Sequence, residues 1–296
     1  MKKNILIVGG SGFLGLNLIE YLYKSSKYNL ISISRGINKD LKLRKKINYI
    51  RADLSIYKNL ERALRNKKID VVINFGGNIE HNNKRQTNNS HYQLCKNLVN
   101  YFSKKKLSLF IQAGSSMEYG TIKSPNLENK KTKPNSIYGI SKLKSTKYLE
   151  QSEINYVILR LYQIYGPYQK FDRLIPLAIK NLLSDKNFNS SNGLQVRDFL
   201  YVDDFILLIN KILKKKNIKK GIYNVGSGRP TNVKTVLTKI EKLISKSKIN
   251  FNAIKMRKEE IKYLYPNINK VKRSFNWTPK TSLTNGLKKT INFYEK

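Results

Sequence analysis

The chain has 296 residues, of which 40% are hydrophobic and 10% aromatic, enough to bury a sizeable core and to exclude disorder over most of its length. One cysteine, Cys95, excludes a disulfide framework and a cysteine-based zinc site, and two histidines, His81 and His91, are too few for a histidine-rich metal site, so a reducing compartment and no metal are expected. Lys and Arg number 58 against 19 Asp and Glu, but this net charge of +39 is spread along the whole chain with abundant Asn and Ile, which reads as compositional drift over a solvated surface rather than as a nucleic-acid site.

Met1-Lys2-Lys3 and the apolar run after it imitate a secretory leader, but the run breaks at Gly9-Gly10. No stretch reaches the roughly 18 apolar residues of a membrane span, so a soluble, cytoplasmic protein is expected. Strand-like runs lie at 4–10, 28–35, 47–54, 70–77, 107–116 and 156–165, with helical patterns at 13–25, 57–66, 91–105 and 138–152 between them. Short β-branched runs alternating with amphipathic stretches predict an α/β fold, a parallel sheet covered on both faces. After residue 167 the rhythm changes. Helical stretches at 171–183, 202–215, 233–245 and 283–294 mix with strand candidates at 193–201 and 221–225. This predicts a first domain over 1–167, to which parts of 193–225 return, and a smaller lobe over 168–296. The lysine-rich stretches 39–46 and 214–220 read as exposed turns or helix ends.

The glycines at the first strand–helix junction carry the first functional signal. Gly10-Ser11-Gly12-Phe13-Leu14-Gly15 matches G-x-G-x-x-G, and Gly9, Gly12 and Gly15 match a close variant. The first glycines permit a tight turn, Gly12 admits a pyrophosphate to the backbone, and Gly15 allows close helix packing. The phosphates would lie at the helix N-terminus, where free N–H groups favour negative charge. The bland alternative is a structural glycine turn. At the end of the second strand an acid would bind the ribose of NAD; here Ser34-Arg35-Gly36 offers no carboxylate, and Arg35 favours NADP over NAD unless it is one more surface cation. Asp53 could accept the adenine amino group or serve as a helix N-cap acid. Leu54 beside it and Gly76, near the end of the fourth strand, complete the candidate cofactor-binding set.

Tyr138 and Lys142 stand four apart in Tyr-Gly-Ile-Ser-Lys, one turn apart on one helix face. A free phenol, with a pKa of about 10, is a poor base at neutral pH. A nearby ammonium favours the phenolate. Tyr138 could then exchange a proton with a sugar hydroxyl or ketone. Upstream, Gln112-Ala-Gly-Ser115-Ser116-Met117-Glu118-Tyr119-Gly120 closes a strand and sets a hydroxyl at the carboxyl edge of the sheet, where open α/β folds bind ligands.

These motifs fall in order with Leu159-Arg160-Leu-Tyr-Gln163-Ile-Tyr-Gly-Pro167, Gly193-Leu-Gln-Val-Arg197-Asp198-Phe-Leu-Tyr-Val-Asp203-Asp204 and Asn269-Lys-Val-Lys-Arg-Ser-Phe-Asn-Trp277-Thr-Pro279. Together they resemble the extended short-chain dehydrogenase/reductases, the NAD-dependent epimerase/dehydratase family acting on nucleotide sugars, over nearly the whole chain. The resemblance implies a Rossmann-type doubly wound sheet with a smaller C-terminal α/β substrate lobe. It implies a catalytic triad in which Tyr138 is acid and base, Ser115 polarises the reacting oxygen, and Lys142 tunes the phenol and holds the nicotinamide ribose. Ser116 and Gln163 would meet the substrate, and Arg197 the nucleotide diphosphate, unless Arg197-Asp198 forms an internal salt bridge. A homodimer through the helices at 91–105 and 138–152 is also implied, with Cys95 in that region as packing.

Departures narrow the reading. Ser116-Met117 stand where dehydratases of the family carry an Asp-Glu pair, which argues against 4,6-dehydration. Gln163 and His91 each replace a frequent Asn; His91 could be a functional replacement, but an exposed or capping histidine is the expectation. The expectation is 4-keto reduction or epimerisation of a nucleotide sugar for polysaccharide assembly, with NAD(P). The alternative is a non-catalytic dinucleotide sensor or RNA-associated protein, which would not need Ser115, Tyr138 and Lys142 together.

Overall fold

The computed structural model describes residues 2–36, 46–78, 82–256 and 260–295. His81 and residues 39–45 of the first lysine-rich stretch lie outside them. In chain order the elements are β1 (Lys3–Val8), α1 (Phe13–Ser25), β2 (Tyr28–Ser34), β3 (Asn48–Arg51), α2 (Tyr57–Leu64), β4 (Val71–Asn74), α3 (Lys84–Asn88), α4 (Leu94–Ser103), β5 (Leu109–Ser115), α5 (Ile137–Glu150) and β6 (Tyr156–Leu161). Beyond these come β7 (Gln163–Tyr165), α6 (Leu174–Leu183), β8 (Phe188–Asn189), β9 (Val196–Arg197), β10 (Phe199–Tyr201), α7 (Val202–Lys214), β11 (Gly221–Val225), β12 (Thr231–Asn232), α8 (Val233–Ile244), β13 (Ile249–Asn250), β14 (Tyr263–Leu264), α9 (Asn269–Phe275) and α10 (Leu283–Tyr294).

A seven-stranded sheet runs β11-β6-β5-β4-β1-β2-β3. Its pairs β1–β2, β1–β4, β2–β3 and β4–β5 are parallel. The order reverses at β1, which is the signature of the doubly wound Rossmann fold and places the ligand side at the carboxyl ends of the strands. Ile5, Leu6, Ile7 and Val8 are all buried, as are Val71, Val72 and Ile73 and every residue of β5. Strands covered on both faces read as continuous apolar runs, and each such side chain contributes about 1.5–3 kcal/mol by leaving water. Leu60 and Leu64 of α2 and Leu94, Leu98, Val99 and Phe102 of α4 close the core over Leu6, Val72 and Phe110.

The chain divides into two compact units. The first holds Met1–Gly120, Lys131–Arg160 and Asn217–Tyr223; the second holds Thr121–Lys130, Leu161–Lys216 and Asn224–Lys296. In the second, β7 pairs with β10, β9 lies between β12 and β14, and β8 pairs with β13. Trp277 is buried and donates its indole N–H to Asp204 O at 2.9 Å. The Asp204 carboxylate accepts the backbone N–H groups of Lys280 and Thr281. Segment 214–220 is exposed apart from a half-buried Ile218. Among the described residues no helix is long and apolar enough to cross a membrane, and no group of His, Cys, Asp and Glu could hold a metal ion.

Candidate active site

The loop after β1 is built by close backbone approach. Gly9 has φ +78°, a left-handed conformation that a side chain would strain. Its N–H donates to Ile33 O at 2.8 Å, and its carbonyl accepts from Gly12 N–H at 3.0 Å. A Cβ on Gly15 would stand 2.4 Å from Gly9 O and 2.5 Å from Gly10 Cα, so α1 packs onto the turn itself. A Cβ on Gly10 would strike Ser32 Oγ of β2 at 2.1 Å. Gly12 meets only Gly9 O, at 3.3 Å. It is the N-cap of α1, with no side-chain cap and no acid in the first turn. The helix therefore presents N–H groups without intrahelical partners toward an exposed glycine, and these residues fit a dinucleotide diphosphate. Phe13 and Leu14 open the helix, and Ser11 ties the loop to β2 through Ser11 N–H to Ser34 Oγ (3.0 Å) and Ser11 Oγ to Gly36 O (2.8 Å).

Arg35 is exposed at the end of β2. Its Nη2 lies 3.5 Å from Gly77 O, and Arg51 Nε donates to the Arg35 carbonyl at 3.1 Å. Asp53 Oδ1 accepts from both the N–H and the hydroxyl of Ser55, so this carboxylate organises the turn that leads into α2. Leu54 is buried, and the Gly76 N–H donates to Asn74 Oδ1 at 2.9 Å.

Ser115 ends β5 and starts a short turn through Ser116, Met117 and Glu118. The Ser115 hydroxyl accepts from Met117 N–H at 3.2 Å, while Glu118 Oε1 accepts from Ser115 N–H at 2.8 Å, a reciprocal capping box. Glu118 has no exposed surface. Its other oxygen accepts from Thr146 Oγ1 at 2.9 Å and Arg160 Nε at 3.0 Å. Burial alone would lower the Arg160 pKa, but Glu118 and Tyr119 beside it raise it, so the guanidinium keeps its charge. Ser116 is buried at the start of the same turn.

Helix α5 carries Tyr138 and Lys142 and begins on Ser136, whose hydroxyl accepts from Gly139 N–H. Its buried face, Gly139, Ser141, Lys142, Ser145, Thr146 and Leu149, is mostly polar or small. Such a face is stable because its polar groups find partners. Buried Lys142 donates to Ala113 O at 2.8 Å and lies 5.8 Å from the centre of the Tyr138 ring. Ser145 Oγ donates to His91 O, and Thr146 reaches Glu118. A Cβ on Gly139 would stand 2.4 Å from Met117 O, so the start of α5 rests on the Ser115 turn. Ser115, Tyr138 and Lys142 thus come from two elements that are tied directly to each other.

His91 corrects an expectation. It is neither exposed nor a cap: it is 4% exposed, inside a five-residue π-helical turn, Asn89–Gln93, that leads into α4. Its ring meets the Tyr138 ring edge-on, with centroids 5.0 Å apart and planes at 74°. Cys95, one turn further on, is fully buried; burial pushes its thiol up to about 12, against the opposing effects of Lys142 and Ser145.

In the second unit, Gln163 opens β7 with an exposed side chain. Arg197 is 7% exposed, forms an ion pair with Glu260 and donates to Val196 O at 2.7 Å. Burial lowers its pKa, with Glu260 opposing. An Arg197–Asp198 salt bridge is not the pairing found. The Asp198 carboxylate, with no exposed surface, instead accepts the N–H groups of Ser227 and Gly228. Sequence reasoning missed Glu118, Thr146 and Glu260. The spacing Ser115-x-x-Glu118 is a capping-box pattern and was readable; Glu260, 63 residues from its partner, left no local signal.

A family model described as the NAD dependent epimerase/dehydratase family matches residues 5–226. The chain belongs to that family. Among curated relatives, CDP-abequose synthase of Salmonella muenchen is 33% identical over 149 residues, which is 49% of this chain and 50% of the relative. UDP-glucuronate 4-epimerase of Thermodesulfobacterium geofontis is 30% identical over 166 residues, 54% of this chain and 50% of the relative. Each of these two matches spans about half the relative's length. A crystal structure of UDP-glucuronic acid 4-epimerase from Bacillus cereus, in complex with UDP-glucuronic acid and NAD, superposes with a TM-score of 0.89 at 27% identity, covering 98% of both chains.

Proposed function

We propose that this epimerase/dehydratase family member is a nucleotide-sugar 4-epimerase in which Tyr138 is the acid–base. The observation that supports it best is the buried Lys142 ammonium, held by Ala113 O within 5.8 Å of the Tyr138 ring. A lysine held this close to a phenol can share in passing a proton between the phenol and a sugar hydroxyl. The nicotinamide dinucleotide, when bound, supplies a ring that takes a hydride from the sugar carbon and gives it back. Gly9, Gly10, Ser11, Gly12 and Gly15 would hold its diphosphate, and Lys142, with donors beyond the one engaged by Ala113, its ribose. Tyr138 removes the hydroxyl proton as the carbonyl forms and returns it when the alcohol is restored. Ser115 shares the hydrogen bond to the reacting oxygen. Ser116 and Gln163 would contact the sugar, and Arg197 the diphosphate.

Similarity along 98% of both chains to a protein solved with UDP-glucuronic acid and NAD supports a UDP-sugar substrate and epimerisation. One observation favours a second reading, reduction of a 4-keto sugar with NADPH. The end of β2 carries exposed Arg35 with Arg51 beside it and no carboxylate. The test is to incubate purified protein with UDP-glucuronate and UDP-glucose, and separately with 4-keto-6-deoxy nucleotide sugars plus NADPH or NADH. Interconversion of 4-epimers supports the first reading, and oxidation of NADPH in preference to NADH the second. If neither set reacts, both fall and the non-catalytic dinucleotide-binding alternative stands. The homodimer belongs to the same proposal; sedimentation should give twice the 34.4 kDa chain mass.

A further inference from the structure

We propose that His91 is a positioning residue for Tyr138: its imidazole is the wall that fixes the direction of the phenol. The inference rests on the reading of Tyr138 as acid–base. The ring is held on two sides and its backbone is tied down as well. On one side is Gly77, in the segment after β4. A Cβ there would stand 2.3 Å from His91 Cε1 and 2.7 Å from Nδ1, so the backbone lies directly against that edge of the imidazole and only glycine fits. On another is the Tyr138 ring, 5.0 Å away between centres and steeply inclined. Edge-to-face contacts of this kind have a preferred geometry and are worth more than their buried area. The third restraint is on the backbone: His91 O accepts from Ser145 Oγ at 3.1 Å, and Ser145 lies on α5, two turns beyond Tyr138.

The local backbone agrees. Between Lys84 and Ser103 the chain departs from α-helix geometry only at the turn that carries His91, the π-helical Asn89–Gln93 between α3 and α4. An extra residue in a helical turn re-aims the side chains it carries, and such turns recur at functional sites. Here it directs an imidazole into a buried position against Tyr138. Tyr138 is the second residue of α5 and half-buried, so its own helix holds it on one side only. A phenol that must meet one sugar oxygen needs a fixed direction, and a misplacement of about 1 Å can cost on the order of a hundredfold in rate.

The experiment uses His91→Ala and His91→Ser, which remove the ring, and His91→Phe, which keeps an aromatic edge. Each is made in the wild-type and Tyr138→Phe backgrounds, and dinucleotide binding is measured to verify the fold. With a nucleotide sugar that the wild type turns over, the small variants should lose about ten- to a hundredfold in kcat with KM within about threefold, and His91→Phe should recover most of it. In the Tyr138→Phe background the same changes should cost nothing further, because the two residues then act as one unit. A second readout needs no substrate. Ring-labelled tyrosine NMR, with the Tyr138 signals assigned by their loss in Tyr138→Phe, should show slow ring flipping in the wild type and His91→Phe and averaged signals in the small variants. Unchanged kcat, equal losses in both backgrounds, or ring flipping indifferent to residue 91 would overturn the proposal. If the wild type turns over no nucleotide sugar, the functional reading falls by itself, and the ring-flip readout alone decides the role of His91.

Discussion

Glu118 ties three elements of the site together, β5, α5 and β6. It is fully buried and accepts from Ser115 N–H, Thr146 Oγ1 and Arg160 Nε. Removing one partner of a buried ion pair leaves the other charge without compensation, which typically costs about 3–5 kcal/mol. Glu118→Ala should therefore lower stability by about that amount in urea unfolding. A midpoint within error of wild type would mean that Arg160 finds another partner. Arg197 presents the opposite situation. Its guanidinium is engaged by Glu260, a carboxylate that would compete with the diphosphate proposed for Arg197. Glu260→Gln should tighten UDP binding several-fold by calorimetry. Weaker or unchanged binding would remove Arg197 from the diphosphate contacts.

At the scale of elements, the junction of β1 and α1 depends on absent side chains. Gly15→Ala would place a methyl group 2.4 Å from Gly9 O. Over-packing of this kind costs about 1–3 kcal/mol, and here the strain falls on the loop proposed to hold the dinucleotide diphosphate. Dinucleotide affinity should drop at least tenfold by fluorescence titration, with the rest of the fold intact; wild-type affinity would contradict this account of the loop. The parallel sheet was legible in the sequence because residues 5–8 of β1, 71–73 of β4 and 109–111 of β5 are buried, so each strand carries a short unbroken apolar run. The run 156–165 reads as one strand but is two, β6 and β7. At Tyr162 the backbone N–H turns to Val225 O, and at Gln163 it goes to Asp198 O. Those partners lie far along the chain, and no local pattern announces them. The Tyr138–Lys142 spacing was legible for the opposite reason, since helical geometry alone puts both on one face. The burial of His91 was not, because a hydropathy pattern counts imidazole as polar and a π-turn shifts the register of the helix beyond it.

For the whole molecule, the +39 charge sets the long-range field. Such a field speeds the encounter with anionic nucleotides and is screened beyond roughly 8 Å at physiological salt. The association rate of a UDP-sugar or dinucleotide should fall steeply between low and physiological salt in stopped-flow measurements, with a much smaller change in the dissociation rate. A salt-independent association rate would mean that the charge is not felt at the site. The role of the Tyr138 phenol beside the Lys142 ammonium comes down to one comparison. Wild-type protein and Tyr138→Phe are each mixed with nicotinamide dinucleotide and a nucleotide sugar, and both hydride transfer and dinucleotide affinity are measured. The variant should bind the dinucleotide as the wild type does while hydride transfer falls by on the order of a hundredfold or more. Undiminished hydride transfer in Tyr138→Phe would contradict it.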